Sequence, residues 1–140
     1  MRLWHQALLP KLSTKRLVRQ HCECCALRGK GWGRKHATVD YVFTHSPYKL
    51  FLYHMAVINE MHRRGYSVND KGWYRATYRG KVLPEWPRES LYSVYGLYTD
   101  TDEVCGCKNG IVYSEHNQEY LEFCIKHLAE KGEIICLTQQ

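Results

Sequence analysis

Glu23 stands in "RLVRQHCECCALRGKGWGRKH", a carboxylate among arginines and cysteines that is followed at once by a glycine-rich basic loop. At helical spacing it falls one turn after Arg19, so one reading is a solvated ion pair on a polar face. The other is a carboxylate held ready for proton transfer or for stabilising a cation beside a polyanion. The loop that follows, Gly29-Lys30-Gly31-Trp32-Gly33-Arg34-Lys35-His36, has glycines at alternate positions. These would let the backbone approach a phosphate, while Lys30, Arg34 and Lys35 supply charge and Trp32 a ring for stacking or wedging. A surface turn with incidental charge fits the same letters. It is not a phosphate-binding loop of the nucleotidase kind, since the terminal Lys-Ser/Thr is absent.

A second reactive group needs no motif. Backbone α-amino groups ionise at roughly pH 7.7–8.0, so an appreciable fraction of such an amine is neutral and nucleophilic under physiological conditions. Arg2 places a cation beside Met1 that could hold a phosphate near it. Metal chemistry has weaker support. Cys105-Gly-Cys107 is too tight for a usual zinc knuckle, and Cys22 and Cys24 on a helix would diverge, so buried reduced thiols are the expected role and no metal or cofactor is expected. Neither GxSxG nor HExxH occurs.

The elements that must position these groups read as helices. Ser13 or Thr14 can cap a helix running to about Arg28, with Gly29 closing it. Its apolar side would comprise Leu17, Val18, Cys22, Cys25 and Ala26, opposite Arg16, Arg19, Gln20 and Glu23. Ser46-Pro47 opens a second helix that should reach about Arg64 before Gly65. It is apolar over most of its circumference, as a central core helix would be, with His54 and His62 as core or flank residues. A third helix is expected from about Glu115 to Lys131, with Tyr120, Leu121, Cys124, Ile125 and Leu128 inward. Residues 134–137 could add a short strand, and 71–87 are rich in turn formers, aromatics and basic residues. The expected fold is mostly α: one compact domain over residues 1–140, of about three main helices, irregular loops and at most a short C-terminal strand.

Composition narrows the partners. The 140 residues carry 20 Lys plus Arg against 14 Asp plus Glu, a formal charge of +6 that favours an anionic partner. Eleven Tyr and four Trp suit base stacking as well as core filling. No run approaches the roughly 18 apolar residues of a membrane span, and no secretory signal is evident. Seven cysteines, an odd number with Cys24 and Cys25 adjacent, suit a reducing compartment. A cytoplasmic, nucleoid-associated monomer is the expectation.

Over roughly residues 1–87 the chain resembles the pyrimidine-dimer DNA glycosylase/AP-lyase family typified by the endonuclease V of T-even phages. The resemblance runs through Met1-Arg2, the helix with Gln20 and Glu23, Arg34-Lys35-His36, "VINEMHRRGYSV" and "YRGKVLP", in that order; residues 88–140 diverge. It implies an enzyme that flips a nucleotide out of duplex DNA bearing damaged or abasic nucleotides. Met1 would supply the amine that attacks C1′ and forms an imine, and Glu23 the carboxylate that stabilises the cationic sugar and moves protons. β-Elimination would then cut the strand. Arg2, Arg16, Arg28, Arg34 and Lys35 would grip phosphates, with Gln20, Lys30, Trp32 and His36 completing the DNA-binding set. Three departures accompany the match. Arg2 follows Met1, so methionine should be retained where the phage-type enzyme exposes a small residue. Cys22 replaces an arginine often found before the glutamate. The "GKGWG" insert and the new C-terminal part could reshape the lesion pocket. The alternatives are a glycosylase of the same fold for another modified base, a non-catalytic nucleic-acid-binding module, or a zinc-dependent interaction module built on the cysteines.

Overall fold

The structure, a computed structural model, describes residues 1–29, 31–45, 47–74 and 110–135, and three α-helices carry these described residues. Helix α1 spans Thr14–Arg28, α2 Pro47–Arg63 and α3 Gln118–Glu130. Short 3-10 turns at Gln6–Lys11, Asp40–Thr44 and Lys71–Tyr74 link them. The Ser13 side chain accepts the Arg16 N–H at the start of α1, and Asn117 accepts the Tyr120 N–H at the start of α3, each satisfying an orphan donor of the first turn. Gly65 (φ 89°) ends α2 in the left-handed region, where a Cβ would be strained. The described residues are mostly helical and contain no strand. Of the expected C-terminal strand, residues 134 and 135 are irregular and 136–137 lie outside the described residues, as do Ser46 and the 75–87 part of the basic, turn-rich segment.

The helices meet over one apolar cluster. Leu17, Cys24 and Leu27 of α1 face Leu50, Tyr53, Val57, Ile58 and Met61 of α2, and Leu3, Leu8, Leu9 and Leu12 of the N-terminal segment close one side. Cys124 and Leu128 of α3, with Val112 and Tyr113, close another. Burying this much apolar surface is the main force holding the helices together. The α1 face corrects the expectation. Val18, Cys22 and Ala26 are exposed, and Gln20 and Arg28 are fully buried in their place. Both polar side chains bond to distant groups, which a periodic pattern of apolar residues cannot register.

Specific bonds fasten the C-terminal part to the N-terminal segment. Tyr120 Oη donates to Leu3 O (2.6 Å), Gln6 Nε2 to Gly110 O (2.8 Å), and Gln6 Oε1 accepts from Val112 N (2.8 Å). An Arg16–Glu133 ion pair adds a further tie. Residues 110–135 thus buttress the stretch that begins with Met1 and Arg2.

The glycine loop has structural reasons for its composition. A Cβ on Gly31 would lie 2.7 Å from the Ala26 carbonyl oxygen at the end of α1, a backbone atom that cannot swing aside. Gly31 N–H bonds that same oxygen (2.9 Å). Gly31→Ala is therefore expected to cost about 1–3 kcal/mol, as overpacking does. Chemical denaturation reads this as a lower midpoint with unchanged slope.

Candidate active site around Met1 and Glu23

Gln20 organises the site from beneath. Its Oε1 accepts the Trp4 N–H (2.7 Å) and the Tyr53 hydroxyl (3.1 Å). Its Nε2 donates to Arg2 O (2.8 Å) and to Glu23 Oε1 (3.3 Å). One buried carboxamide therefore fixes the N-terminal backbone and the carboxylate to the same helix. The Met1 α-amino nitrogen lies 4.0 Å from Glu23 Oε2 as a result. The expected Arg19 partner acts on Glu23 through space, as one of several cations around it.

Burial holds the Glu23 carboxyl above the usual carboxylate range. The Met1 ammonium, the Arg2 backbone N–H, Arg19 and His36 oppose that shift without cancelling it. On the other side of the amine, His36 Nε2 is 3.5 Å from the Met1 nitrogen. The Thr38 hydroxyl donates its only proton to Met1 O and lies 2.9 Å from His36 Nδ1. It must accept from Nδ1–H, which leaves the His36 Nε2 lone pair turned toward the amine. Two acceptors, a carboxylate and an imidazole, flank one amine.

A cleft of about 240 Å³ opens over this pair, with Arg2, Arg16, Arg19, Lys131, His36 and His127 around it. A second cavity of about 620 Å³ lies on the other side of Met1 and brings in Arg34 and Lys35. The structure therefore brings Met1, Arg2, Arg16, Glu23 and His36 around the first opening and Arg34 and Lys35 to the second, with Met1 and His36 lining both. Other expected contacts are corrected. Gln20 and Arg28 are fully buried and present no atom to a duplex. Arg28 NH1 instead bonds His54 Nδ1 (2.8 Å) and Trp73 O (3.0 Å), with its guanidinium against Trp73 and Phe51. Trp32 sets its ring edge-on to Phe43 (4.9 Å, 79°) and is half-buried. Lys30 lies outside the described residues.

Sequence reasoning missed Thr38, His127 and Lys131. Only Thr38, two residues after Arg34-Lys35-His36, carried any local signal. His127 and Lys131 come from the end of α3, whose placement beside Met1 is a tertiary fact.

For a metal, His21, Cys25 and His54 offer ligand atoms all within 4.8 Å of one another. Arg28 donates to His54 Nδ1, so the Nε2 that faces His21 Nδ1 at 2.8 Å carries the proton. Burial, Arg28 and His21 push the His54 pKa down to about 2, which keeps the ring neutral. A protonated ligand nitrogen beside a guanidinium favours a hydrogen-bonded relay over a bound cation. As expected for His54, it is a core residue; His62 is a flank residue bonded to Tyr74 Oη (2.8 Å). Cys24 and Cys124 are buried free thiols, while Cys22 is exposed; Cys105 and Cys107 lie outside the described residues.

The helical fold sets an α-amino group beside a half-buried glutamate, with arginines around the same cleft. The chain belongs to the pyrimidine dimer DNA glycosylase family, whose model matches residues 1–73. That span holds α1, α2, Met1, Glu23 and the basic loop, and membership implies a DNA substrate. No curated protein and no solved structure is significantly similar to the chain. No helix of the described residues is long and apolar enough to cross a membrane.

Proposed function

We propose that the protein is a bifunctional DNA glycosylase and AP lyase that uses the Met1 amine as its nucleophile on duplex DNA carrying a cyclobutane pyrimidine dimer. The observation that carries this reading is the Met1 nitrogen 4.0 Å from Glu23 Oε2 within a cationic cleft. A sugar C1′ seated in that cleft is within reach of both groups. The neutral amine attacks C1′, the carbon–nitrogen bond to the base breaks, and the base takes up a proton while staying joined through the cyclobutane ring to its neighbour. Loss of a second amine proton and ring opening give an imine between Met1 and C1′. The imine acidifies the 2′ hydrogen, and its removal expels the 3′ phosphate by β-elimination. Glu23 stabilises the positive sugar and carries protons between steps, and His36 Nε2 is a second acceptor for the amine. Arg2, Arg16, Arg19, Arg34, Lys35 and Lys131 are the proposed phosphate contacts, so binding should weaken steeply with salt.

A second reading keeps the chemistry and changes the base. The family match ends at residue 73, yet α3 supplies part of the cleft rim through His127 and Lys131. A pocket completed by an unmatched helix favours a lesion particular to this chain. Borohydride trapping on duplexes holding either a pyrimidine dimer or an abasic site separates these readings. Adducts on both support dimer excision, and adducts on abasic DNA alone support another base. Salt-sensitive binding without any adduct supports a non-catalytic binding module and sinks the enzyme.

A further inference from the structure

The proposed chemistry asks two things of one carboxylate. When the Met1 nitrogen bonds to C1′ it becomes a cationic secondary amine, and no imine forms until that nitrogen gives up a proton. Glu23 Oε2, 4.0 Å away, is one acceptor for it. A carboxylate that has taken this proton is neutral and no longer balances the positive sugar. A separate acceptor removes the conflict, and His36 Nε2 stands 3.5 Å from the same nitrogen.

An imidazole nitrogen accepts a proton in only one of its two neutral tautomers. His36 is exposed, so water alone would allow both. Thr38 breaks the symmetry. Its hydroxyl has one proton, which goes to the Met1 carbonyl oxygen, a group that can only accept. The hydroxyl oxygen then offers lone pairs alone, 2.9 Å from His36 Nδ1, and that contact is a hydrogen bond only when Nδ1 carries the proton. The Nε2 lone pair is thereby kept for the amine. The main chain holds the ring in register: His36 N–H donates to Asp40 Oδ1 (2.7 Å), and His36 O accepts from the N–H of buried Val39 (2.8 Å).

The surrounding charges suit a relay that does not store its proton. From α1 come Arg16, Arg19 and Glu23, and from α3 His127 and Lys131. Arg2, Arg34 and Lys35 add cations from the N-terminal segment and the basic loop, and Asp40 is the carboxylate on the main-chain side. Cations outnumber carboxylates, so an imidazolium formed here is driven to release its proton to water in the open cleft.

We propose that Thr38 is a positioning residue for the imine step: it holds His36 as the Nδ1–H tautomer, so that Nε2 takes the proton from the Met1 nitrogen once that nitrogen has bonded to C1′. The N–H electron pair returns to nitrogen, the new bond to carbon stays, and His36 becomes an imidazolium with Nδ1–H still on Thr38. Glu23 remains ionised against the sugar. The proposal rests on the glycosylase and lyase reading, and it divides proton removal from charge stabilisation between two residues.

Thr38→Val keeps the shape of the side chain and removes the hydroxyl. The first measurement uses the free protein, labelled with nitrogen-15, at a pH above the ordinary imidazole range. Long-range proton–nitrogen spectra should show His36 protonated on Nδ1 and bare on Nε2 in the parent, and moved toward Nε2–H in Thr38→Val. A parent ring protonated on Nε2, or the same tautomer in both proteins, overturns the proposal. The second measurement is single-turnover borohydride trapping on abasic duplex across pH. Near neutrality Thr38→Val should trap about tenfold more slowly, and Thr38→Ser should restore the rate. In alkali, where hydroxide takes the proton, parent and Thr38→Val should agree within about twofold. A loss equal at every pH would mean that the hydroxyl only anchors the Met1 carbonyl, and it overturns the proposal, as does no loss at all. If the parent itself fails to trap on abasic DNA, the imine mechanism falls, while the spectra still decide whether Thr38 sets the tautomer.

Discussion

Glu23→Gln is expected to lower excision and strand cleavage by roughly two to four orders of magnitude, the usual worth of a positioned acid–base group. The protein should be as stable as the parent near neutral pH, or more so. Burial raises the Glu23 pKa, so the folded chain binds that proton more tightly than the unfolded chain does. The carboxyl's contribution to stability is therefore full below the ordinary carboxylate range and is lost as pH rises through its raised folded value. Above that value the ionised group costs stability, and glutamine removes the cost while retaining an oxygen for Gln20 Nε2. Thermal melts of the two proteins should coincide in acid and separate in favour of Glu23→Gln as pH rises. Retained cleavage would contradict the role given to Glu23. A melting point lowered at neutral pH would instead mean that attraction to the Met1 ammonium outweighs desolvation.

Gln20→Ala is expected to have the second-largest effect, on stability and on activity together. The change leaves the buried Trp4 N–H and the Arg2 carbonyl without their side-chain partner and opens a void between α1 and the N-terminal segment. Buried groups stripped of a partner cost about 1–3 kcal/mol each, so a total of about 2–6 kcal/mol is expected in denaturant titration. Activity should fall further than the folded fraction does. The amine is held over Glu23 by these bonds, and a displacement of about 1 Å can cost on the order of a hundredfold. Rates measured well below the unfolding transition separate the two effects. A stability loss with full activity would show that the N-terminal segment finds its place without Gln20.

Helix ends were legible because their chemistry is local. Ser13, Gly29, Pro47 and Gly65 mark α1 and α2 within a residue of where they fall. The third helix begins at Gln118 rather than about Glu115, because Asn117 caps it while Glu115 turns to His45 and His116 is buried among aromatic rings. Which face of α1 is buried was not legible. Gln20 and Arg28 look like surface residues until Trp4, Arg2, His54 and Trp73 are placed around them.

The same limit applies to the site. Glu23 and the basic loop drew notice from their types and order, and the family resemblance gave them a shared chemistry. Gly31 looked like a phosphate-binding residue and is required by the Ala26 carbonyl. His127 and Lys131 carried no signal, because nothing local says that α3 lies beside the N-terminus.

The central claim is that the Met1 amine itself is the nucleophile, and the most direct measurement locates the covalent bond. The parent protein is reacted with abasic duplex DNA under borohydride, digested with protease and nuclease, and the modified peptide sequenced by mass spectrometry. The account predicts a reduced sugar fragment on the α-nitrogen of Met1, lost when that amine is acetylated. A fragment on a lysine such as Lys35 or Lys131, or none at all, would contradict it.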